Sequence, residues 1–265
     1  MLPIKRIHCC VTISFLAFSL LQGCSTLKPA QPLPKNLEDE VQMSGFTNIR
    51  AWGDIRSKAL TQSARSSIMQ ELAANHGKLK PEVDALALSG GGQDGAFGAG
   101  LLCGWTKTGN RPQFKLVTGI STGALMAPFA FLGPAYDDKL KYFYTHTTDK
   151  DIYEPYSIFT ILLSFAKITS VPSLADNKPL AKVVEKLIDH RVLKAIAAEH
   201  LKGRRLLIGT SEMYSQRLVI WDMGAIATSG SPDALPLFRK ILLASSALPA
   251  TFPPQMIKVV ANGKQ

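Results

Sequence analysis

Two short apolar runs, each followed within a residue or two by glycine and then by helical spacing, organise the middle of the chain. Val83 to Ser89 (VDALALS) and Phe114 to Thr118 (FKLVT) have the length and apolar content of buried strands. The first runs into GGGQDGAFGAG, Gly90 to Gly100, after which Leu101, Leu102 and Trp105 fall at helical spacing. The second runs into Gly119-Ile120-Ser121-Thr122-Gly123, with a helical pattern from Thr122 onward.

Elsewhere the apolar positions predict helices over Asp54 to Asn75, with Ile55, Ala59, Leu60, Ile68 and Leu72 as the apolar residues, and over Asp137 to Thr145, Ser157 to Lys167 and Leu237 to Ser246. Lys178 to His190 and Arg191 to Leu201 read as two amphipathic helices or as one with a break. Arg205 to Met213 and Arg217 to Met223 read as strands around a turn at Tyr214-Ser215-Gln216. Met256 opens a last strand candidate ahead of the hairpin signal Asn262-Gly263. Ser157 to Lys167 is apolar nearly all round, which suits a buried helix or a flap lining an apolar pocket.

A serine between two glycines at a strand-to-helix turn has a sharply bent backbone and an outward hydroxyl, because glycine removes the Cβ atoms that would clash there. Gly119 and Gly123 flank Ser121 in this G-x-S-x-G form, so Ser121 is the candidate nucleophile. The loop upstream, Gly90, Gly91 and Gly92, places unpaired backbone N–H groups between a strand and a helix start, which makes an anion site. Gly90 to Gly95 also satisfies the G-x-G-x-x-G of a dinucleotide site. Such a fold needs an acid about 20 residues further on, after its second strand, and here that strand ends in the serine turn. The oxyanion of a tetrahedral intermediate is the better occupant. That the glycines only permit tight packing stays open as a third reading.

The N-terminus changes the picture of where this chemistry would occur. Lys5 and Arg6 precede an uncharged apolar run, Val11 to Leu21, too short to span a bilayer comfortably. Leu21-Gln22-Gly23-Cys24 resembles the bacterial lipobox, in which the cysteine becomes the lipidated first residue. The expected organisation is a signal peptide over 1–23, a proline-rich tether over 24–36, a helical extension over 37–82 and the main domain over 83–265. A plain signal peptide or an uncleaved anchor is the alternative. With Cys9 and Cys10 removed and Cys24 lipidated, Cys103 alone remains, so an internal disulfide is not expected. Without Lys5 and Arg6, 28 basic residues face 20 acidic ones, a net of +8. No aromatic residues interleave with the clusters at Lys202-Gly203-Arg204-Arg205 and Arg239-Lys240, so these read as solvated surface and nucleic-acid binding is not expected. No H-E-x-x-H or spaced Cys/His set points to a metal, and no cofactor is expected.

A glycine loop after one strand and G-x-S-x-G after the next, about 30 residues later, resembles the patatin-like phospholipase family. Ala247 to Pro254 (ALPATFPP) is similar to that family's A-x-P-x-x-F-P-P segment. The resemblance covers roughly residues 85–260. It implies an α/β fold, a three-layer sandwich with a mostly parallel central sheet flanked by helices. It also implies an acyl hydrolase with a serine–aspartate dyad, with Ser121 as nucleophile and Gly90, Gly91 and Gly92 as the oxyanion loop. Asp94 departs from the pattern, since many members carry a basic residue just before the loop's last glycine.

No D-G-G or D-G-A motif, which carries the family's aspartate, follows Ala247 to Pro254 in this sequence; the one D-G-A present, Asp94-Gly95-Ala96, lies in the glycine loop. The expectation is therefore that the base lies beyond Gln265 and that the sequence is an incomplete form of a longer enzyme. Asp222 in Trp221-Asp222-Met223-Gly224 imitates the motif loosely and reads better as a strand-end turn residue. A serine–histidine–acid triad drawing on His146, His190 or His200 with Asp176 or Asp189 is a weaker alternative, with His190 and His200 read as surface residues. The leading expectation is a membrane-tethered esterase acting on phospholipid or another acyl ester, anchored through Cys24 in a bacterial envelope, by resemblance the outer membrane. The competing one is a non-catalytic surface lipoprotein that binds lipid or a partner on the same shell.

Overall fold

The computed structural model describes residues 41–155, 175–249 and 251–261. The expected signal segment and tether, Cys24, the expected helix at Ser157 to Lys167 and the turn signal at Asn262-Gly263 lie outside these residues. The chain enters at β1 (Arg50–Trp52) and forms α1 (Lys58–Ala74), which is capped by the Ser57 hydroxyl. It then builds the unit that carries both glycine motifs: β2 (Ala85–Leu88), α2 (Gly95–Lys107), β3 (Leu116–Gly119) and α3 (Thr122–Leu132). Next come α4 (Asp137–His146), the short α5 (Asp149–Ile152) and a two-residue strand pair, β4 (Glu154–Pro155) with β5 (Ala175–Asp176). They lead to α6 (Lys178–Leu187) and α7 (His190–Leu201), and β6 (Arg205–Glu212), β7 (Arg217–Asp222), α8 (Met223–Thr228) and α9 (Ala234–Ser246) follow. α6 and α7 are two helices, because Asp189 breaks the pattern and its carboxylate caps α7 by accepting the Val192 N–H at 2.9 Å.

Five strands form one mixed sheet in the order β1-β7-β6-β3-β2. Its centre is parallel: β2, β3 and β6 run together, with Leu88 opposite Gly119 and Gly119 opposite Ile208. β7 is antiparallel to both of its neighbours. Strand alternation puts Val117, Gly119, Leu206, Ile208, Val219 and Trp221 on one face, all buried, with α3 packed on β3 and β6 and α9 on β6. α3 is central, with Thr122 through Phe131 buried, as expected of a helix that is apolar all round. The expected α/β architecture is thus present, and the C-terminal ends of β2, β3 and β6 lie side by side beneath the two glycine motifs.

The opposite sheet face is crossed at one end by α1, and here the structure departs from the sequence pattern. α1 docks by polar side chains at helical spacing. Ser63 donates to Asp222 at 2.6 Å, Ser67 donates to the Gly203 carbonyl, Gln70 accepts from Arg205 at 2.9 Å, and Glu71 pairs with Lys115. Ile68, expected on the buried side, is 48% exposed, and Met69 is 66% exposed. The basic cluster at 202–205 is likewise not solvated surface. Arg204 is buried, donating to the carbonyls of Phe114 and Phe131 and to Glu199, with its guanidinium over the Phe131 ring. Arg205 is buried against Ser63 and Gln70 of α1. Arg239 is also bound, to the carbonyls of Ile188 and Glu185. Five-donor guanidinium groups satisfy carbonyls at element ends that have no other partner, so arginine clusters are poor indicators of surface. Among the described residues the last strand candidate shows only bridge positions at Val260 and Ala261, with Val260 paired antiparallel to Gln42.

Candidate active site

Ser121 has a left-handed backbone, φ 55° and ψ −125°, at the sharp turn from β3 into α3. Such a conformation costs a non-glycine residue about 1–3 kcal/mol and persists only where the surroundings over-determine it. The flanking glycines are needed for close approach. A Cβ on Gly123 would lie 2.3 Å from the Leu88 carbonyl oxygen, and one on Gly119 would lie 2.5 Å from that of Gly123. The start of α3 therefore rests directly on the end of β2. The Ile120 N–H donates to the Leu88 carbonyl at 3.1 Å, and the Gly123 N–H closes the turn onto Ile120 at 2.9 Å.

The glycine loop lies against this turn. A Cβ on Gly90 would stand 3.0 Å from the Ser121 Cβ and 3.6 Å from its Oγ. Gly91 and Gly92 have φ of 156° and 55°, so the loop uses backbone shapes that side chains resist. Among the described residues, no acceptor is bonded to the N–H groups of Gly91, Gly92 or Thr122. Thr122, directly after the nucleophile, is a donor position that the motif geometry predicts and that inspection for glycines alone passes over.

Two further groups brace the turn. The Tyr144 hydroxyl lies 2.7 Å from Thr122 Oγ1 and 3.1 Å from the Thr122 carbonyl. Burial pushes the Tyr144 phenol up to about 12, against a smaller opposing effect of its Thr122 hydrogen bond. It is therefore an orienting neutral hydroxyl and not a proton acceptor. On the other side the Ser121 N–H donates to Ser245 Oγ at 3.0 Å. Neither contact has a signal in the linear sequence.

No side chain among the described residues is hydrogen-bonded to the Ser121 hydroxyl. The residues weighed for a triad are elsewhere. His146 and His190 are exposed, Asp176 pairs with Lys178, and Asp189 caps α7. His200 is buried, not at the surface as expected. Its Nδ1 faces Asp222 at 3.6 Å, and burial, outweighing that carboxylate, pushes it down to about 4. Asp222 caps α8 through the Ala225 N–H and accepts from Ser63, so it is a structural acid on the far side of β6. Cys103 is half-buried and its thiol is pushed up by burial. Among the described residues no cluster of His, Cys, Asp or Glu is placed to hold a metal, and no helix is long and apolar enough to cross a membrane.

Comparison with curated proteins and with solved structures gave no match. A family model does match. Patatin-like phospholipase aligns with residues 86–261, from the strand that delivers the glycine loop to the end of the described chain. The match spans both glycine motifs, the elbow and the proline-bounded segment after α9, over well more than half of the 265 residues. With the parallel centre of a mixed sheet presenting that loop to a serine elbow, the chain belongs to the patatin-like phospholipase family, whose members are lipid acyl hydrolases.

Proposed function

We propose that this protein is a serine esterase that cleaves phospholipid or other acyl esters through Ser121. The observation that carries the proposal is the strained elbow at Ser121 with Gly90 packed against its Cβ and N–H groups at Gly91, Gly92 and Thr122 that meet no acceptor among the described residues. In this reading Ser121 Oγ attacks the ester carbonyl, and the carbonyl oxygen gathers negative charge that those N–H groups receive. Each such donor contributes about 2.7–4 kcal/mol in other enzymes. The serine proton passes to a carboxylate, which returns it to the departing alcohol and then activates water to release the acyl group. The carboxylate in this proposal is the family's aspartate, taken from beyond Gln265 as the sequence resemblance leads one to expect.

The proposed setting is the bacterial envelope, with the domain tethered through lipidated Cys24 to the outer membrane. The motivation is the lipobox-like Leu21-Gln22-Gly23-Cys24 and the proline-rich stretch after it. The substrate would then lie in the anchoring surface itself. A fluorophosphonate probe should modify Ser121 of the full-length protein, and Ser121→Ala should abolish both the adduct and ester hydrolysis. Wild-type protein that binds lipid yet forms no adduct and turns over no ester would instead be the non-catalytic lipoprotein. Mass spectrometry of the mature N-terminus should find a diacylated or triacylated Cys24; an unmodified residue there refutes the anchor.

A further inference from the structure

The nucleophile's backbone N–H is taken by a side chain 124 residues away in sequence. Ser245, in the last turn of α9, accepts it at 3.0 Å and passes its own hydroxyl hydrogen to the Gly209 carbonyl at 2.6 Å. Gly209 stands one residue past the last paired position between β3 and β6. One hydroxyl thus joins three elements: the elbow, the end of the neighbouring parallel strand, and α9.

The turn is consequently gripped from both flanking strands. On the β2 side the Leu88 carbonyl holds the Ile120 N–H. On the β6 side the link runs from the Ser121 N–H through Ser245 to Gly209. Ile120 reinforces that side, since its Cγ1 lies 3.1 Å from where a Gly209 Cβ would stand. A left-handed serine relaxes unless its peptide planes are fixed. We infer that Ser245 is a positioning residue for Ser121. Its hydroxyl fixes the plane of the Ile120–Ser121 peptide, and with it the direction of Oγ and of the Thr122 N–H relative to the glycine loop. Because the Ser121 N–H is engaged, the oxyanion falls to Gly91, Gly92 and Thr122 alone.

Removing the hydroxyl leaves one N–H and one carbonyl unpaired and lets that peptide rotate, which misdirects attack without altering what binds. The inference rests on the reading of Ser121 as nucleophile, and the test separates the two. Wild type is compared with Ser245→Ala, Ser245→Thr and Ser246→Ala. Ser246 is the adjacent hydroxyl and is bonded to carbonyls of its own helix, those of Leu242 and Leu243.

Ser245→Ala should lower the saturating rate of fluorophosphonate labelling and kcat by about ten- to a hundredfold. Half-saturation and KM should move by less than about twofold. Ser245→Thr, which keeps the hydroxyl, should recover most of the rate, and Ser246→Ala should match wild type. Wild-type labelling in folded Ser245→Ala, or Ser245→Thr no better than Ala, overturns the role. If wild type itself neither labels nor hydrolyses, the esterase reading fails. The bracket is then judged by hydrogen exchange of the Ser121 amide. Protection lost in Ser245→Ala and kept in Ser245→Thr supports it, and equal protection in both refutes it.

Discussion

Ser121 holds a backbone conformation that an isolated serine would leave, and its neighbours show what prevents this. Gly123 is the least replaceable of them. Its missing Cβ lets the first turn of α3 touch the carbonyls of Leu88 and Ser89, and backbone oxygen cannot move aside as a side-chain tip can. Gly123→Ala should therefore cost about 3 kcal/mol, read as a lowered urea midpoint at unchanged slope. This much was legible in the sequence, because glycine at both flanks of a serine has few other uses. Ser245 and Tyr144 were not legible. A hydroxyl that caps another residue's N–H looks the same in sequence as one facing water, and only the fold brings α9 to the elbow.

At the scale of elements, the β2–α2–β3–α3 unit was legible because short apolar strands and glycine turns have one physical reading. α1 was not. Its docking face is built from Ser63, Ser67, Gln70 and Glu71, so apolar periodicity pointed to the wrong side. Arg204 and Arg205 misled for the same reason: they are charged, yet they satisfy carbonyls inside the domain. Glu71 ties the helix to Lys115 and to the Lys80 N–H, and these bonds hold its carboxyl below the usual range. Glu71→Ala should destabilise by about 1–3 kcal/mol. Amide exchange should rise first along α1, while β3 and β6 stay protected.

Across the whole molecule the buried His200–Asp222–Arg205 cluster sets the response to acid. Burial lowers the His200 pKa from its ordinary 6.5 to about 4. The unfolded chain therefore binds a proton in that interval that the folded chain refuses, and stability rises with pH there. The contribution is complete above about 6.5 and is lost as pH falls toward about 4. Glu71 adds a second loss at lower pH, because its depressed carboxyl must protonate as pH drops through its folded value. The thermal midpoint should decline from neutral pH to about 4.5, and His200→Gln should flatten that decline. An unchanged slope in the variant would place the acid sensitivity elsewhere.

The polar seat of α1 has a thermodynamic signature. Heat-capacity change and denaturant sensitivity both scale with the surface exposed on opening, and the heat-capacity term is positive for apolar surface and negative for polar. A helix seated on hydroxyls, an amide, a carboxylate and a guanidinium exposes little hydrocarbon when it lifts. Its release will be nearly silent in heat capacity. Yet it uncovers Arg205 at the start of β6 and Asp222 at the end of β7, so the molecule can lose this helix before calorimetry reports unfolding.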